Sequence, residues 1–535
     1  MLTKLTVFAQ LDVEHFIPPV YPSTQNWVTP QEQIVYISTP SLTPVNYTIT
    51  DGAGNLLQNG TVSNANPANY LMNGFASDFV VRDADLNTVL TDRGLHIVSD
   101  DKIYCNLRAQ AGGGTRPNAT SMTTKGRSAL GKSFRIGHFP SPNGFSNKSS
   151  TVGIYATEDN TQISIDLTSR QPVLRGAGAP STGNIINVSL NKGETYVFAI
   201  KNQDSNLNKN RGMIGGLITS NNNIVVNCGS WGGNLANSDV VDIGIDQIVG
   251  ADKIGDEYVV VRGAYDTQYN PHERVLIIAN EDNTEVKING VIVHTIANAG
   301  EFYYVPSNKY SSQGSMYIET DKPTYVYQFM MGNKDPQQQK TQGMNFVPPI
   351  SCNTTSFVDN IPFVEKIAQI NYPRGAISVV TTKGATLTIT VDGVDRNIGN
   401  PVPVPSSNYE QYKIKNLRGN IAVYSNTIAL VSIAGENNAS GYGGYFSGFV
   451  QTEFSQEVNC LPGYLFESSG VKGAFRWFKD GVEMPGETND SLFAIETGEY
   501  TFERTLAGCV DTSEVISAVA LNEFELEGDT FFCAG

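Results

Sequence analysis

Residues 151–166 read TVGIYATEDNTQISID, and similar text returns three more times along the chain. Each copy is an apolar or β-branched run, a short polar break and a second alternating run: RVLIIANEDNTEVKING (274–290), AISVVTTKGATLTITVDG (376–393) and the looser STPSLTPVNYTITDG (38–52). Two such runs around a short break predict a β-hairpin. Successive copies lie roughly 100 to 120 residues apart, so the chain is predicted to repeat a domain-sized module.

Two further elements recur in the same order. One begins with glycine and reads as a strand, a polar turn and a strand; it occurs at 94–107, 216–229, 314–328 and 419–433. The other places an aromatic residue before β-branched residues and stands between copies, at 130–136, 254–261 and, more weakly, 355–361. Three elements in constant order support a true structural repeat.

Composition and periodicity define the fold class. The chain has 535 residues with 51 glycines, and period-two alternation is frequent while helical apolar periodicity is not. We expect an all-β protein of three to four tandem β-sandwich-like modules, since propeller blades are shorter, at about 40 to 50 residues. The predicted modules are bounded at 11–130, 131–254, 255–353 and 354–454.

Both ends of the chain differ from the repeat. Residues 1–10, MLTKLTVFAQ, resemble the end of a secretory signal peptide, and the alternative is an ordinary first strand. Residues 455–520 resemble an immunoglobulin-like sandwich in which Trp477 packs on a Cys460–Cys509 bridge. Residues 521–535 resemble the start of a further unit of this kind.

The charge and the cysteine spacing argue against several classes of partner and cofactor. The net charge is −16 and the basic residues are scattered, which argues against nucleic acid and anionic membranes as partners. No apolar run is long enough to span a membrane, so we expect no membrane insertion. None of the six cysteines forms a C-x-x-C pair, which disfavours zinc ribbons. Cys105 and Cys228 lie in equivalent strands and are either buried thiols or a bridge.

Catalytic motifs are weak. Residues 126–133, GRSALGKS, satisfy the phosphate-loop pattern with Lys132 and Ser133, but Gly137 and Pro140 oppose the helix that must follow it. We therefore interpret this stretch as an inter-module linker.

The five histidines lack metal-site spacing and there is no G-x-S-x-G elbow. We expect no enzyme activity and no cofactor, although two carboxylates brought together by folding would serve a glycosidase.

Polar turns offer a weak metal site. Asp159 and Asp282 lie in the equivalent stretches Glu158–Asn160 and Glu281–Asn283, whose oxygens suit calcium. The third copy has Lys383 there, which opposes calcium. Asp and Asn at such positions also stabilise turns by bonding their own backbone, and we favour that interpretation.

Aromatic residues in glycine-rich stretches are the candidate ligand contacts. Trp231 lies in GSWGG, and Tyr442, Tyr445 and Phe446 lie in SGYGGYFSG. Exposed rings with few charged neighbours suit sugar faces or protein hot spots. The alternative is that these rings fill gaps between modules.

The residues 11–450 resemble the IgGFc-binding domain family. The similar pieces are YISTP (36–40), TKGRSALGKSFRIG (124–137), YATEDNTQI (155–163), GSWGG (229–233), IDQIVGADKIGDEYVVV (245–261) and MNFVPPISC (344–352). The family is named for part of an animal mucus protein and also occurs in long bacterial surface proteins, where immunoglobulin-like repeats follow, often with gliding-motility or type IX secretion tails. The resemblance implies an extracellular or bacterial cell-surface protein.

The expected function is binding without turnover. We expect a secreted or surface adhesion protein whose partner is an extracellular glycoprotein or polysaccharide; the oligomeric state is open. Repeated modules present linked weak sites, which gain effective concentration. The alternatives are a structural stalk or spacer and a β-sandwich carbohydrate-active enzyme.

Overall fold

A computed structural model describes most of the chain. The described residues are 10–22, 28–113, 118–140, 149–176, 179, 185–201, 211–233, 235, 241–263, 273–330, 343–351, 354–437, 440–449, 454–456, 461–467, 474–506, 509–513 and 515–519. The protein is all-β, as predicted. The proposed signal remnant, residues 1–10, lies outside the described residues except for Gln10.

Four modules share one set of seven main strands. In the first module these are β1 (Asp12–Ile17), β2 (Pro30–Ser38), β3 (Val45–Thr50), β4 (Leu56–Val62), β5 (Ala68–Asn73), β7 (Leu95–Ala111) and β8 (Asn118–Thr123), with a short β6 (Val89–Leu90) before β7. In the second they are β9 (Gly131–Arg135), β10 (Ser149–Ala156), β11 (Thr161–Asp166), β12 (Ile185–Leu190), β13 (Thr195–Lys201), β14 (Leu217–Gly233) and β15 (Asp242–Ile248).

The third and fourth modules follow the same order. The third has β16 (Gly255–Val261), β17 (Arg274–Ala279), β18 (Thr284–Ile288), β19 (Val291–Ile296), β20 (Phe302–Val305), β21 (Ser315–Met330) and β22 (Gly343–Phe346). The fourth has β23 (Phe357–Ile361), the short pair β24 (Lys366–Ile367) and β25 (Ile370–Asn371), then β26 (Ala376–Thr382), β27 (Leu387–Val391), β28 (Val394–Asp395), β29 (Val402–Pro403), β30 (Tyr409–Lys415), β31 (Ile421–Ser425), β32 (Leu430–Asn437) and β33 (Ser440–Tyr445). Short 3₁₀ helices lie at Gly74–Ala76, Asp83–Asp85, Gly126–Ala129 and Ser307–Lys309.

The repeated text does not form hairpins. In the second module β10 pairs with β13 and with the second half of β14, whereas β11 pairs with β12 and with the first half of β14, so β10 and β11 do not pair with each other. In the same way β2 and β3 are joined only through β7, and β17 and β18 only through β21, while β26 and β27 lie in separate sheets. The hairpin prediction is therefore wrong: the polar break joins two strands that do not pair with each other. The burial pattern fits this, because β10 is buried throughout while β11 alternates.

The second repeated element is also different from its prediction. Instead of strand, turn and strand, it is one continuous strand in the first three modules, β7, β14 and β21. The first half of β14 pairs with β9 and β11 and the second half with β10 and β15, with a register shift between Thr219 and Ile224. The polar residues lie where the strand changes its pairing partners. Only the fourth module breaks this strand, into β31 and β32.

The four modules pack into one compact unit, Ala9–Ile350 with Ser356–Phe449. Their last strands meet, because β8 packs against β15 and β33, and β22 packs against the same two strands. Every residue of these four strands is buried. Apolar cores are shared between the first and second, second and third, and third and fourth modules. The modules are therefore mutually supporting parts of one body.

Cys105 and Cys228 are free and buried, which decides between the two alternatives left open by the sequence. Burial raises the pKa of the Cys228 thiol to about 12 and that of Cys105 further still. A thiol with so high a pKa is not a nucleophile at neutral pH, so both cysteines serve packing.

The second compact unit comprises Met1–Phe8, Ser351–Thr355 and Val450–Gly535. Its described strands form two sheets: β34 (Phe454–Gln456), β35 (Gly463–Glu467) and β38 (Ser491–Ala494) in one, and β36 (Ala474–Lys479), β37 (Val482–Glu483), β39 (Gly498–Leu506), β40 (Cys509–Thr512) and β41 (Ile516–Ala518) in the other. Trp477 is fully buried in their shared core, and its Nε1 donates to the carbonyl of Asn489 at 2.8 Å. Two sheets around a buried tryptophan agree with the predicted sandwich.

The proposed Cys460–Cys509 bridge remains a prediction. Cys460 lies outside the described residues, and only the backbone of Cys509 is described. We expect peptide mapping by mass spectrometry without reduction to recover the two cysteines in one linked peptide. Replacing both with alanine should lower the free energy of unfolding of this small module by about 2–5 kcal/mol. Free thiols at both positions would contradict the bridge.

Candidate ligand-binding cleft

Trp231 is buried, so the exposure on which its assignment as a ligand contact depended is wrong. It lies on β14 of the second module but is fully buried in the core of the first. Its Nε1 donates to the carbonyl of Val28 at 2.8 Å, and its ring lies 6.4 Å from that of Phe79. The alternative interpretation, a ring that fills the gap between modules, describes Trp231.

Tyr442, Tyr445 and Phe446 are buried in the same way. The Tyr442 hydroxyl donates to the carbonyl of Val364, and the Tyr445 hydroxyl donates to Gln328 Oε1 at 2.9 Å. The prediction that these rings are exposed is wrong, because the neighbouring glycines serve close packing and not a flexible loop. A Cβ on Gly443 would lie 2.5 Å from the sulfur of Met330.

Asp159 and Asp282 act in turns. Asp159 Oδ1 accepts the Lys192 backbone N–H at 3.0 Å, and Asp282 Oδ1 accepts that of Ala299 at 2.8 Å. The following asparagines, Asn160 and Asn283, have φ of 56° and 55°, the left-handed conformation that asparagine tolerates. Among the described residues no group of three or more His, Cys, Asp or Glu is placed to hold a metal ion.

The phosphate-loop pattern lacks the fold that such a loop needs. Gly126–Ala129 form a 3₁₀ helix, and Gly131–Arg135 form strand β9, where a phosphate loop requires a helix. Lys132 is exposed on that strand, at the start of the second module. This stretch belongs to the connection and first strand of a module, and Lys132 provides a solvated control position for substitutions elsewhere.

An open cleft of about 460 Å³ lies in the fourth module. Its walls come from the β24–β25 hairpin, the segment before β31 and the end of β32. The residues that line it are Glu365, Lys366, Asn371, Pro373, Arg418 and Asn437. The volume lies within the range of small-molecule sites, about 300 to 1,000 Å³.

Arg108 of the first module holds the hairpin in place. It is fully buried, and its guanidinium donates to the carbonyls of Pro362, Phe363 and Lys366, at 2.7 Å for Pro362 and 2.9 Å for Lys366. Its Nε donates to Asn106 Oδ1 at 2.7 Å. Because a fixed planar guanidinium binds three backbone carbonyls at once, the chain that forms one wall of the cleft is rigidly positioned.

Further hydrogen bonds connect the walls. Glu365 Oε2 accepts the backbone N–H of Gly419 at 3.0 Å, which ties the hairpin to the segment that carries Arg418. Asn437 Nδ2 donates to the carbonyl of Asn371 at 2.8 Å, which ties the hairpin to β32. The cleft is therefore preformed by contacts among its own walls.

Two cations at the cleft have no counter-ion among the described residues. Lys366 and Arg418 are exposed, and neither side chain makes a hydrogen bond or ion pair with any other described residue. The Lys366 ammonium lies 5.5 Å from the ring of Phe363. By contrast, the nearby Arg374 pairs with buried Glu436 at 3.7 Å. The arrangement offers two positive charges, two amides and one carboxylate to a bound molecule.

Sequence reasoning did not find this site. KIAQIN (366–371) carries two isoleucines around a two-residue turn, which is a hairpin signal. Nothing in the sequence, however, indicates that Arg418 lies beside it. That proximity is produced by the strand order of the fourth module.

Comparison with protein families assigns the second and third modules and most of the fourth. The family described as IgGFc binding protein matches residues 119–435, more than half of the chain, from within β8 to within β32. The chain belongs to the IgGFc binding protein family. Members of this family are generally extracellular or surface-associated binding proteins. The family match includes every lining residue of the cleft except Asn437.

Other comparisons add little to the IgGFc binding protein assignment. No curated protein matches. Alignments exist with trypsin-activated α-2-macroglobulin of Escherichia coli (9% identity, TM-score 0.12, 95% of this chain and 49% of that chain) and with the eight N-terminal Ig domains of Down Syndrome Cell Adhesion Molecule (11%, 0.11, 94% and 60%). Elastase-activated α-2-macroglobulin of Escherichia coli gives 10% identity, a TM-score of 0.13, and coverage of 95% and 53%. The chain thus spans about half to three fifths of these proteins, and such low TM-scores support no inference.

In the described part of this family member, no helix is long and apolar enough to cross a membrane.

Proposed function

We propose that this protein is a non-catalytic adhesion protein of a bacterial cell surface that binds an extracellular glycoprotein or polysaccharide. The observation that carries the proposal is the cleft of the fourth module, which is preformed, open and lined by polar and charged side chains. Such a site suits hydrogen bonding to a polar ligand without large rearrangement.

Family membership supports a partner outside the cell. The family takes its name from binding to the Fc part of immunoglobulin G, and an extracellular protein ligand is therefore one partner class that we propose.

The compact four-module unit also changes the expected mode of binding. Modules packed through shared cores do not present four independent sites, so we expect one principal site and not a string of weak ones.

The test is binding by the full chain to immobilised glycoproteins. We expect saturable binding, measured by surface plasmon resonance, to mucin or to an immunoglobulin Fc fragment, and a reduced signal after enzymatic removal of the glycans. Incubation with polysaccharides should release no new reducing ends. Release of reducing ends would favour the carbohydrate-active enzyme, and absence of binding to every glycoprotein and polysaccharide would favour the spacer.

A further inference from the structure

We propose that the cleft of the fourth module binds an acidic saccharide, a sugar that carries a carboxylate or a sulfate group. This inference rests on the proposed function and specifies its ligand. Lys366 and Arg418 are assigned to the anionic group, and the other polar lining groups, on Glu365, Asn371 and Asn437, are assigned to the sugar hydroxyls.

The cleft is rich in positive charge for an acidic protein. The chain has 52 acidic and 36 basic residues and a net charge of −16. Several of its cations lie against acids, such as Arg127 with Asp12 at 2.8 Å and Lys253 with Asp252 at 3.0 Å. Lys366 and Arg418 instead share one cleft, and no acid among the described residues is bonded to either. Two unengaged cations at one concave site attract and bind an anion.

The remaining lining groups suit the hydroxyl groups of a sugar. Asn371 and Asn437 offer amide donors and acceptors, and Glu365 is a carboxylate held by the Gly419 N–H. Side-chain amides and carboxylates are suitable partners for hydroxyl groups, which donate and accept. A simple anion would use only the cations, whereas a cleft of about 460 Å³ accommodates a larger polar molecule.

The walls that carry the two cations are fixed by hydrogen bonds. Arg108 binds the backbone carbonyl of Lys366, and Glu365 binds the backbone N–H of Gly419, the residue after Arg418. The two cations therefore project from wall segments whose spacing is set before a ligand arrives. Preorganisation of this kind lowers the entropic cost of binding.

The experiment compares matched saccharides and matched variants. Isothermal titration calorimetry with the full chain would use sialyllactose, a glucuronic acid disaccharide, sulfated lactose and neutral lactose, together with a short polyglutamate peptide. We expect at least one acidic saccharide to bind, with an affinity that falls as salt rises, and neutral lactose to bind at least about tenfold more weakly. Lys366→Gln and Arg418→Gln should each weaken that binding about tenfold.

Lys132→Gln is the matched control, because it removes the same charge from an exposed strand position outside the cleft. It should leave binding unchanged, and all three variants should unfold at the wild-type temperature in calorimetry. Equal binding of acidic and neutral saccharides, or wild-type affinity in both cleft variants, overturns the acidic assignment while leaving glycoprotein binding intact. Binding of polyglutamate with no binding of saccharides would assign the cleft to acidic peptides instead. Failure of the wild type to bind any glycoprotein or polysaccharide would overturn the proposed function itself.

Discussion

Lys125→Met is expected to lower the free energy of unfolding of the four-module unit by about 3–5 kcal/mol. Lys125 and Asp246 form an ion pair at 3.0 Å whose side chains are only 2% and 4% exposed. Removing the cation leaves a carboxylate buried away from water, and an uncompensated buried charge is among the most destabilising changes known in proteins.

The position of this pair explains why the effect should reach the whole unit. Lys125 follows the last strand of the first module, and Asp246 lies on β15 of the second. Asp246 Oδ2 also accepts the Phe346 backbone N–H of the third module at 2.7 Å. The Lys125 ammonium lies 5.8 Å from the ring of Phe449, just after the fourth module. Three modules thus share one buried electrostatic contact.

Burial shifts the pKa values of both residues of the pair. Loss of water raises the pKa of Asp246 and lowers that of Lys125, while their mutual attraction opposes both changes. Differential scanning calorimetry of Lys125→Met, Asp246→Asn and the double variant would measure the coupling between them. We expect the double variant to be more stable than either single variant, since it leaves no buried charge. Single variants that unfold as the wild type does would show that the pair is solvated.

The sequence predicted the strands well and their pairing poorly. The text 151–166 correctly marks two strands, β10 and β11, but a strand, break and strand read the same whether the two strands pair with each other or with different parts of a third strand. The distinguishing signal was present. TVGIYA is continuously apolar or small and TQISID alternates, which indicates strands with different burial. For β14, three asparagines suggested a turn, yet long-range pairing with both sheets keeps the strand continuous.

The candidate site was harder to predict for a physical reason. Aromatic residues among glycines fit both an exposed contact loop and a tight interface, and the choice depends on what packs against them. A neighbouring module does so in both cases: Arg108 of the first module lies 5.3 Å from the Tyr442 ring, and Trp231 lies in the core of the first module. Lys366 and Arg418 are ordinary surface residues in the sequence, 52 positions apart by their numbers. Only the topology of the fourth module brings them to one cleft.

Trp231→Ala is expected to destabilise the four-module unit by about 3–5 kcal/mol while leaving ligand binding unchanged well below its unfolding temperature. The indole belongs to β14 of the second module but fills the core of the first, where Phe79 and Ile243 surround it. Truncation therefore loses buried apolar surface, leaves a cavity between two modules and removes the hydrogen bond to Val28.

Trp231→Phe separates these effects, because it keeps an aromatic ring in the core, loses the Nε1 donor and removes much less volume than alanine does. Its cost should be about 1–3 kcal/mol, the penalty for one buried unsatisfied carbonyl. Both tryptophan variants and Lys366→Gln should be compared in two measurements. One is unfolding by denaturant, and the other is glycoprotein binding at a temperature well below that of unfolding. The cleft variant should lose affinity and keep stability, and the tryptophan variants should lose stability and keep affinity. A Trp231→Ala protein that unfolds as the wild type does but no longer binds would place the indole at the ligand, and would show that its burial between the modules opens in solution.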